Sequence, residues 1–274
     1  MLTVVQVGGG LLFGSLALLA DSAHQLVDVA ALALALVAGR LATRPARGRN
    51  TYGWRRADVL GAQASAVLLL ASSVWIAVEA ADRLSDAPDI NGPGVAVLGV
   101  AGLAVNGGSA WWLARVGGGG LNLRAAVAHL LADAAGSAGV LVAGLAMAVA
   151  GAAWVDGAVS AAIAVAVAVA AVVLLRDTTR ILLEAAPAGV DLAAIEATLL
   201  AGADVKAVHH LHVWALGSDE PALSAHVVLD DATSLHDAQL RGDTLKLELS
   251  TRFGIDHATL ELECHACDES AGTA

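Results

Sequence analysis

The sequence contains little that would support the commonest kinds of secreted domain or enzyme. It has only two cysteines, Cys264 and Cys267, three positions apart near the C-terminus. A pair so close cannot staple a fold, and its spacing is more typical of metal ligands or of a reducible dithiol. The sequence also has no His-Glu-x-x-His motif, no Gly-x-Ser-x-Gly turn and no Walker-type phosphate loop. These absences exclude the usual metalloprotease and serine hydrolase arrangements. Without a phosphate-binding loop of the Walker type, ATP-driven pumping is not predicted either.

Charge is scarce and balanced over the first two thirds of the chain, where apolar residues dominate. The 274 residues are 57% hydrophobic with a mean hydropathy of +0.71, which indicates a membrane protein in contact with lipid. Residues 1–175 hold 9 basic and 9 acidic residues, whereas residues 176–274 hold 6 and 17, a balance of −11. Seven of the nine histidines follow residue 200. We therefore predict a transmembrane domain at 1–176 and an acidic, His-rich domain at 177–274 whose partner is a cation and not a nucleic acid.

Six membrane-spanning segments are predicted from the apolar pattern. Stretches close to the ~20 residues needed for a spanning helix lie at about 15–38, 59–81, 93–114, 125–149 and 155–175. A shorter apolar stretch precedes them, and it lacks the basic region of a cleavable signal peptide. Arginines crowd the 40–56 loop and follow residue 175, which predicts that both termini are cytoplasmic and that the number of spans is even. The fold class is thus a six-helix membrane bundle with a shortened first helix.

The last hundred residues change to a mixed pattern of helices and strands. Asp191 can cap a short helix at 192–200, and Ser234 with Asp237 can start an amphipathic helix that runs to about Phe253. Residues 205–216, 222–229 and 257–263 alternate as half-buried strands do. The order α-β-β-α-β predicts a small α+β domain of ferredoxin-like character.

Two apolar spans each carry a histidine and an aspartate four residues apart. The pairs are His24 with Asp28 and His129 with Asp133. Residues i and i+4 share a helix face, so each aspartate lies next to its histidine. One such pair could be only a local hydrogen bond, or an anchor at the membrane surface. Because the spacing recurs on two distant spans, we expect the pairs to meet as a tetrahedral set of two imidazoles and two carboxylates for Zn²⁺.

Five stretches resemble the cation diffusion facilitator family, specifically its zinc-transporting branch. They are GSLALLADSAHQLVD at 14–28, TYGWRRADVL at 51–60, HLLAD at 129–133, VHHLHVW at 208–214 and LSAHV at 223–227. They are spread over almost the whole chain and follow the family's order. The resemblance implies six transmembrane helices, a cytoplasmic regulatory domain, a homodimer, and metal/proton antiport out of the cytoplasm. It also implies that the four residues His24, Asp28, His129 and Asp133 are the transport site, and that a histidine at position 24 goes with zinc.

The C-terminal domain offers further candidate ligands. By resemblance, the ligands of a regulatory zinc site are His209, His226, Glu261 and Glu263. Along a regular strand His209 and His212 point to opposite faces, so they are not expected to serve one site, whereas His210 and His212 share a face. Cys264 and Cys267 could form a separate tail site, or they could be two exposed thiols of a flexible tail.

Two functions fit these observations at the level of sequence. The first is a secondary active transporter, not an enzyme, that expels zinc in exchange for protons from the cytoplasm across a bacterial inner membrane. The alternative is a membrane-anchored zinc sensor that moves no metal. Ligands in the middle of apolar spans favour transport, because a sensor needs none there. Sites made of nitrogen and oxygen ligands accept several divalent ions, so Cd²⁺ and Co²⁺ stay open beside Zn²⁺.

Overall fold

A computed structural model describes residues 2–85, 88–116, 121–218, 220–230 and 233–265. The chain divides into two compact units. The helical unit consists of Met1–Ala35 and Ala62–Leu175, and the sheet unit consists of Leu36–Gly61 and Arg176–Ala274. The loop after the second helix thus packs with the C-terminal part of the chain.

Six apolar helices make up the N-terminal part of the chain. They are α1 (Leu2–Phe13), α2 (Leu16–Ala42), α3 (Ala57–Ser85), α4 (Gly92–Val116), α5 (Leu121–Ala150) and α6 (Trp154–Leu182). Among the described residues, α2 to α6 are long and apolar enough to cross a membrane, while α1 is shorter. The predicted set of six helices with a shortened first one is confirmed.

Helices α4 and α5 approach each other closely because glycine occupies their contact positions. A Cβ added to Gly144 would lie 2.4 Å from the backbone nitrogen of Ala96, and one added to Gly99 would lie 2.6 Å from that of Leu141. Small residues at such positions let apolar helices pack backbone to backbone. This contact fixes α5, one of the two helices that carry a His-x-x-x-Asp pair.

The N-terminus of α2 is held by a buried acid from α6. Asp156 is fully buried and accepts hydrogen bonds from Ser15 Oγ at 2.6 Å and from the backbone N–H groups of Leu16 at 2.7 Å and Ala17 at 3.3 Å. A carboxylate at this end satisfies N–H groups that have no partner within the helix and complements the helix dipole. The start of α2 is therefore fixed about two turns before His24.

The sheet unit has the predicted order α-β-β-α-β. Its elements are α7 (Leu192–Leu200), β1 (Val205–Ala215), β2 (Pro221–Leu229), α8 (Leu235–Phe253) and β3 (His257–Glu263). The predicted caps are present: Asp191 Oδ1 accepts from the N–H groups of Ala193 and Ala194, and Ser234 Oγ accepts from that of Asp237. The sheet has the order β1-β2-β3, with β1 antiparallel and β3 parallel to β2.

One face of this sheet packs against the helices and the other carries polar side chains. The buried core joins α7, the sheet and α8 through ten residues: Ile195, Leu199, Val213, Leu223, Ala225, Val227, Leu229, Leu245, Leu249 and Ile255. On β2 the alternate positions Ser224 and His226 lie on the opposite face, next to Thr259 and Glu261 of β3. That polar face carries His226 of β2 and Glu261 of β3.

The expected alternation of His209 and His212 is wrong because β1 contains a bulge. His209 pairs with His226 and His212 pairs with Ser224, so three steps along β1 match two steps along β2. The additional residue reverses the alternation, and His209 and His212 share the polar face. His210, within the bulge, has a φ of +48°, the left-handed conformation.

Residues 36–61 contact the C-terminal part of the sheet unit through charged groups. Arg56 Nη2 donates to Glu184 Oε1 at 3.0 Å, and Arg55 pairs with Glu220. Ser218 Oγ donates to Asp58 Oδ2 at 2.5 Å. These contacts anchor the Arg-rich loop on the acidic part of the chain.

Candidate functional site

The two His-x-x-x-Asp pairs face each other inside the helical unit. His24 and Asp28 lie on α2, and His129 and Asp133 lie on α5. Each Nε2 atom lies near both carboxylates: that of His24 is 3.6 Å from Asp28 Oδ2 and 3.7 Å from Asp133 Oδ1. The Nε2 atom of His129 is 3.7 Å from Asp28 Oδ2 and 3.7 Å from Asp133 Oδ2. The structure thus brings together all four residues of the predicted transport site.

These separations are too long for hydrogen bonds but close to those between ligands of one metal ion. A nitrogen–oxygen hydrogen bond spans about 2.7–3.2 Å. Two ligands that each lie about 2.1 Å from a tetrahedral Zn²⁺ are about 3.4 Å apart. The four distances of 3.6–3.7 Å exceed that spacing by only a few tenths of an ångström. Ligand atoms of His24, Asp28 and Asp133 all lie within 4.8 Å of one another, and His129 lies 3.7 Å from both carboxylates.

The polar atoms of this group are also left without partners. Asp28 Oδ2, Asp133 Oδ1 and His24 Nδ1 are buried and make no hydrogen bond to any residue that the structure describes. Buried polar atoms are almost always paired, so two carboxylate oxygens without a donor indicate a place for a cation. The side chain of Asp133 is 9% exposed whereas that of His129 is 52% exposed. The group is therefore closed around Asp133 and open on the side of His129.

A second cluster of histidines and carboxylates lies on the polar face of the sheet. Glu263 accepts from both His209 Nε2 at 2.9 Å and His226 Nδ1 at 2.6 Å, and His226 Nε2 lies 3.4 Å from Glu261 Oε2. The four residues predicted for a regulatory site are therefore neighbours. Unlike the atoms in the helical unit, these are already joined by hydrogen bonds.

His210 joins this cluster although the sequence analysis placed it with His212. Its ring centroid is 5.0 Å from that of His209 and 4.9 Å from that of His226, and the Nδ1 atoms of His209 and His210 are 3.3 Å apart. The three histidines offer ligand atoms within 4.8 Å of one another. The spacing of the apolar residues could have indicated the bulge in β1. Val208 and Leu211 both pack towards the core although they are three positions apart.

Other candidate residues lie outside both groups. The ring of His257 contacts that of Tyr52, with centroids 5.5 Å apart. Cys264 is exposed, and its Sγ atom lies 3.3 Å from His265 Nδ1. Cys267 lies outside the described residues, so a tail site of Cys264 and Cys267 stays a prediction.

One buried acid near the first group has no counterpart in the predicted ligand set. Asp21 is 2% exposed and accepts a hydrogen bond from Gln6 Nε2 of α1 at 2.9 Å. Asp21 belongs to the stretch at 14–28 that resembles the cation diffusion facilitators, but it was not predicted as a site residue. Its position within an apolar span, three residues before His24, is the signal that could have drawn attention to it.

Family profiles match nearly the whole chain. Residues 1–183 match the cation efflux transmembrane domain, and residues 187–265 match the cytoplasmic domain of cation efflux proteins. The chain therefore belongs to the cation efflux family, as its resemblance to the cation diffusion facilitators predicted. The predicted fold class, a helical membrane bundle followed by a small α+β domain, is confirmed.

Relatives align over almost the full length. The chain is 37% identical to the metal cation efflux system protein CzcD of Cupriavidus metallidurans, over 97% of this chain and 84% of the relative. It is also 37% identical to the zinc transporter ZitB of Escherichia coli, over 96% of this chain and 84% of the relative. A cadmium, cobalt and zinc/H(+)-K(+) antiporter of Bacillus subtilis is 32% identical, over 96% of this chain and 85% of that protein.

Proposed function

We propose that this protein expels Zn²⁺ from the cytoplasm in exchange for protons, through a site made of His24, Asp28, His129 and Asp133. The observation that carries the proposal is the meeting of two imidazole Nε2 atoms with carboxylate oxygens that have no other partner. Two nitrogen and two oxygen ligands suit tetrahedral zinc. The names of the relatives, which include a zinc transporter and a metal/H(+) antiporter, support the same function.

Proton exchange follows from the chemistry of the ligands. Only a neutral imidazole binds a metal ion, so zinc and protons compete for the histidines. Zinc binding therefore releases protons from the histidines, and proton binding releases zinc. Zinc enters the site from the cytoplasm as protons leave, and protons from the other side displace it. The protein acts as a secondary active transporter and catalyses no chemical reaction.

The two parts of the chain have different roles in this proposal. Residues 1–176 form the transport domain, and residues 177–274 form a regulatory and dimerisation domain. Zinc bound by His209, His226, Glu261 and Glu263 reports high cytoplasmic metal, with His210 as an additional ligand. The family description of residues 187–265 as a cytoplasmic domain agrees with this division.

The proposal also includes an orientation and an assembly. The protein is a homodimer in the cytoplasmic membrane of a bacterium, with both termini in the cytoplasm. The arginines of residues 40–56 support this orientation through the positive-inside rule. Cd²⁺ and Co²⁺ are further candidate substrates, because geometry and not ligand type separates them from zinc.

Zinc flux into proteoliposomes with an imposed pH gradient tests the proposal. His129→Ala and Asp28→Ala each remove one ligand and should abolish the flux. Asp82→Asn is the matched control, because this exposed acid of α3 is not part of the four-residue group. Flux equal to that of the unaltered protein in either ligand variant would contradict the assignment. Zinc binding without any flux in the unaltered protein would favour the alternative, a membrane-anchored zinc sensor.

A further inference from the structure

Asp21 lies at the centre of a buried polar network between α1, α2 and α5. Its Oδ2 atom accepts from Gln6 Nε2 at 2.9 Å, from Gln25 Nε2 at 3.0 Å and from Ser137 Oγ at 3.4 Å. Gln6 and Ser137 are completely buried. All three donors contact the same oxygen, so within the described residues Oδ1 of Asp21 accepts no hydrogen bond.

Two glycines leave room for this network. A Cβ at Gly136 of α5 would lie 3.0 Å from Asp21 Oδ1. A Cβ at Gly102 of α4 would lie 2.7 Å from Ser137 Oγ and 3.0 Å from Gln6 Nε2. There is therefore space beside Asp21 Oδ1 because residue 136 is a glycine.

No cation balances Asp21 among the described residues that contact it. Helix α1 contains no titratable side chain, and α4 contains only Arg115, nine residues beyond Asn106 of the network. Helix α2 itself carries His24, Asp28 and Arg40, and α5 carries Arg124, His129 and Asp133. The donors to Asp21 among the described residues are the uncharged Gln6, Gln25 and Ser137, and Asp133 acts on Asp21 electrostatically. An ionised carboxylate inside an apolar span is costly without a counter-charge. A bound proton removes that cost.

The network also contains an acceptor that lacks a donor. Gln6 Nε2 donates to Asp21, but Oε1 of the same amide is buried and unpaired. A carboxylate can only accept, whereas a protonated carboxyl group also donates. An acid beside a primary amide can form two hydrogen bonds, one in each direction. The unpaired Oε1 atom is thus the partner that a proton on Asp21 would need.

We propose that the Asp21 carboxyl group, paired with the amide of Gln6, is a proton-binding site of the exchange that is separate from the metal ligands. The inference rests on the proposed function and extends it. A proton from water binds Asp21 Oδ1, and the O–H group donates to Gln6 Oε1. When the proton leaves, it returns to water and the carboxylate keeps its three donors to Oδ2.

Zinc and this proton exclude each other through charge. Ser137, four residues after Asp133 on α5, donates to Asp21, so the proton site and the metal site share a helix face. A divalent ion beside Asp133 favours the ionised form of Asp21 and so opposes the binding of a proton, whereas without the ion the Asp133 carboxylate favours the neutral, protonated form. Such coupling is reciprocal, so protonation of Asp21 weakens zinc binding by the same factor.

The test is the zinc accumulation ratio of Asp21→Asn in proteoliposomes with the membrane potential held at zero. Each exchanged proton multiplies that ratio by about ten for each pH unit of gradient. Loss of one proton should therefore lower the ratio about tenfold at one pH unit and about 100-fold at two. Exchange of zinc for zinc without a gradient should stay within about threefold of the unaltered protein, because the metal ligands remain. Asp82→Asn, the same change of acid to amide at an exposed residue of α3, is the matched control and should keep the ratio.

A second variant decides the matter if Asp21→Asn does not fold. The double variant Gln6→Glu with Asp21→Asn exchanges the positions of acid and amide and should restore the accumulation ratio. A folded double variant that exchanges zinc for zinc without gradient-driven accumulation would overturn the proposal. An unchanged accumulation ratio in Asp21→Asn would also overturn the proposal. An equal reduction of gradient-driven accumulation and of zinc-for-zinc exchange would overturn it as well, because that result indicates a structural role for Asp21. If the unaltered protein showed no response to the pH gradient, the proposed antiport itself would fail.

Discussion

The helical unit and the sheet unit contain the same kinds of ligand in two different conditions. In the helical unit, four distances of 3.6–3.7 Å separate imidazole nitrogens from carboxylate oxygens, and Asp28 Oδ2 and Asp133 Oδ1 have no partner. In the sheet unit, Glu263 already accepts from two histidines at 2.6 and 2.9 Å. The carboxylate oxygens between α2 and α5 await a cation as their partner, whereas Glu263 in the sheet unit already has hydrogen-bond partners.

This difference suits two different tasks. A transport site has to bind its ion and release it in each cycle, and a frame that holds the ligands apart keeps them ready for the next ion. A regulatory site has to be stable without metal as well as with it. Zinc in the sheet unit would have to replace the hydrogen bonds of Glu263, so binding there changes the structure more than binding between α2 and α5.

The largest effect is expected from removal of a carboxylate between α2 and α5. Asp133→Asn should lower zinc affinity at that group by more than about 100-fold, since the loss even of an outer-shell partner costs 10–100-fold. Zinc flux should fall to background. Zinc titration of the same variant should still detect the sheet cluster, because Glu263 and its histidines are untouched. One titration therefore separates the two groups, and loss of both binding events would contradict their independence.

A smaller effect is expected from a change of ligand type at position 24. His24→Asp replaces one nitrogen ligand with oxygen, which favours harder ions over zinc. Zinc flux should drop about tenfold, and the flux of Mn²⁺ relative to Zn²⁺ should rise. Competition between the two ions in proteoliposomes measures this, with the exposed-acid variant Asp82→Asn as control. An unchanged ratio of the two fluxes would remove His24 from the ligand set.

The sheet cluster should affect transport less than the membrane group does. Glu263→Gln removes the acceptor shared by His209 and His226, and zinc binding to this cluster should weaken about 10–100-fold. Flux at saturating zinc should fall by less than about threefold, because the proposed transport ligands between α2 and α5 are intact. A zinc titration and a zinc flux measurement on the same preparation check the expected changes in affinity and in flux. Complete loss of flux would show that the sheet cluster is part of the transport path.

The smallest effect is expected from a helix cap in the same unit. Ser234→Ala removes the hydroxyl that accepts from the N–H of Asp237 and should cost about 1 kcal/mol of stability. Thermal unfolding of the purified protein should show a slightly lower midpoint. Flux and zinc affinity should not change, which makes this variant the stability control for Glu263→Gln. A fall in flux as large as that of Glu263→Gln would mean that stability alone explains both.

Local rules predicted much of this molecule. The caps Asp191 and Ser234 were identified from residue type and spacing, because a cap depends on only a few neighbouring residues. The His-x-x-x-Asp pairs were equally local, since four residues return a helix to the same face. Their meeting between α2 and α5 was expected because the same spacing recurs on two distant apolar spans.

Long-range details were not predicted in the same way. The bulge that brings His210 beside His226 depends on the register between β1 and β2, which residue alternation along one strand does not specify. The pairing of Gln6 with Asp21 joins residues of two helices, and the room for it comes from Gly102 and Gly136 on two others. Contacts of this kind appear only when the helices are packed.

The ligands of bound zinc, measured by X-ray absorption, test the central claim most directly. The full chain with His209→Ala, His226→Ala, Cys264→Ser and Cys267→Ser has no cysteine and retains only the group between α2 and α5 of the two histidine clusters. Its bound zinc should have four nitrogen or oxygen ligands at about 2.0–2.2 Å, including two imidazoles, and His129→Ala should reduce the imidazoles to one. Sulfur at about 2.3 Å, or a spectrum that His129→Ala leaves unchanged, would contradict a single site shared by the two His-x-x-x-Asp pairs.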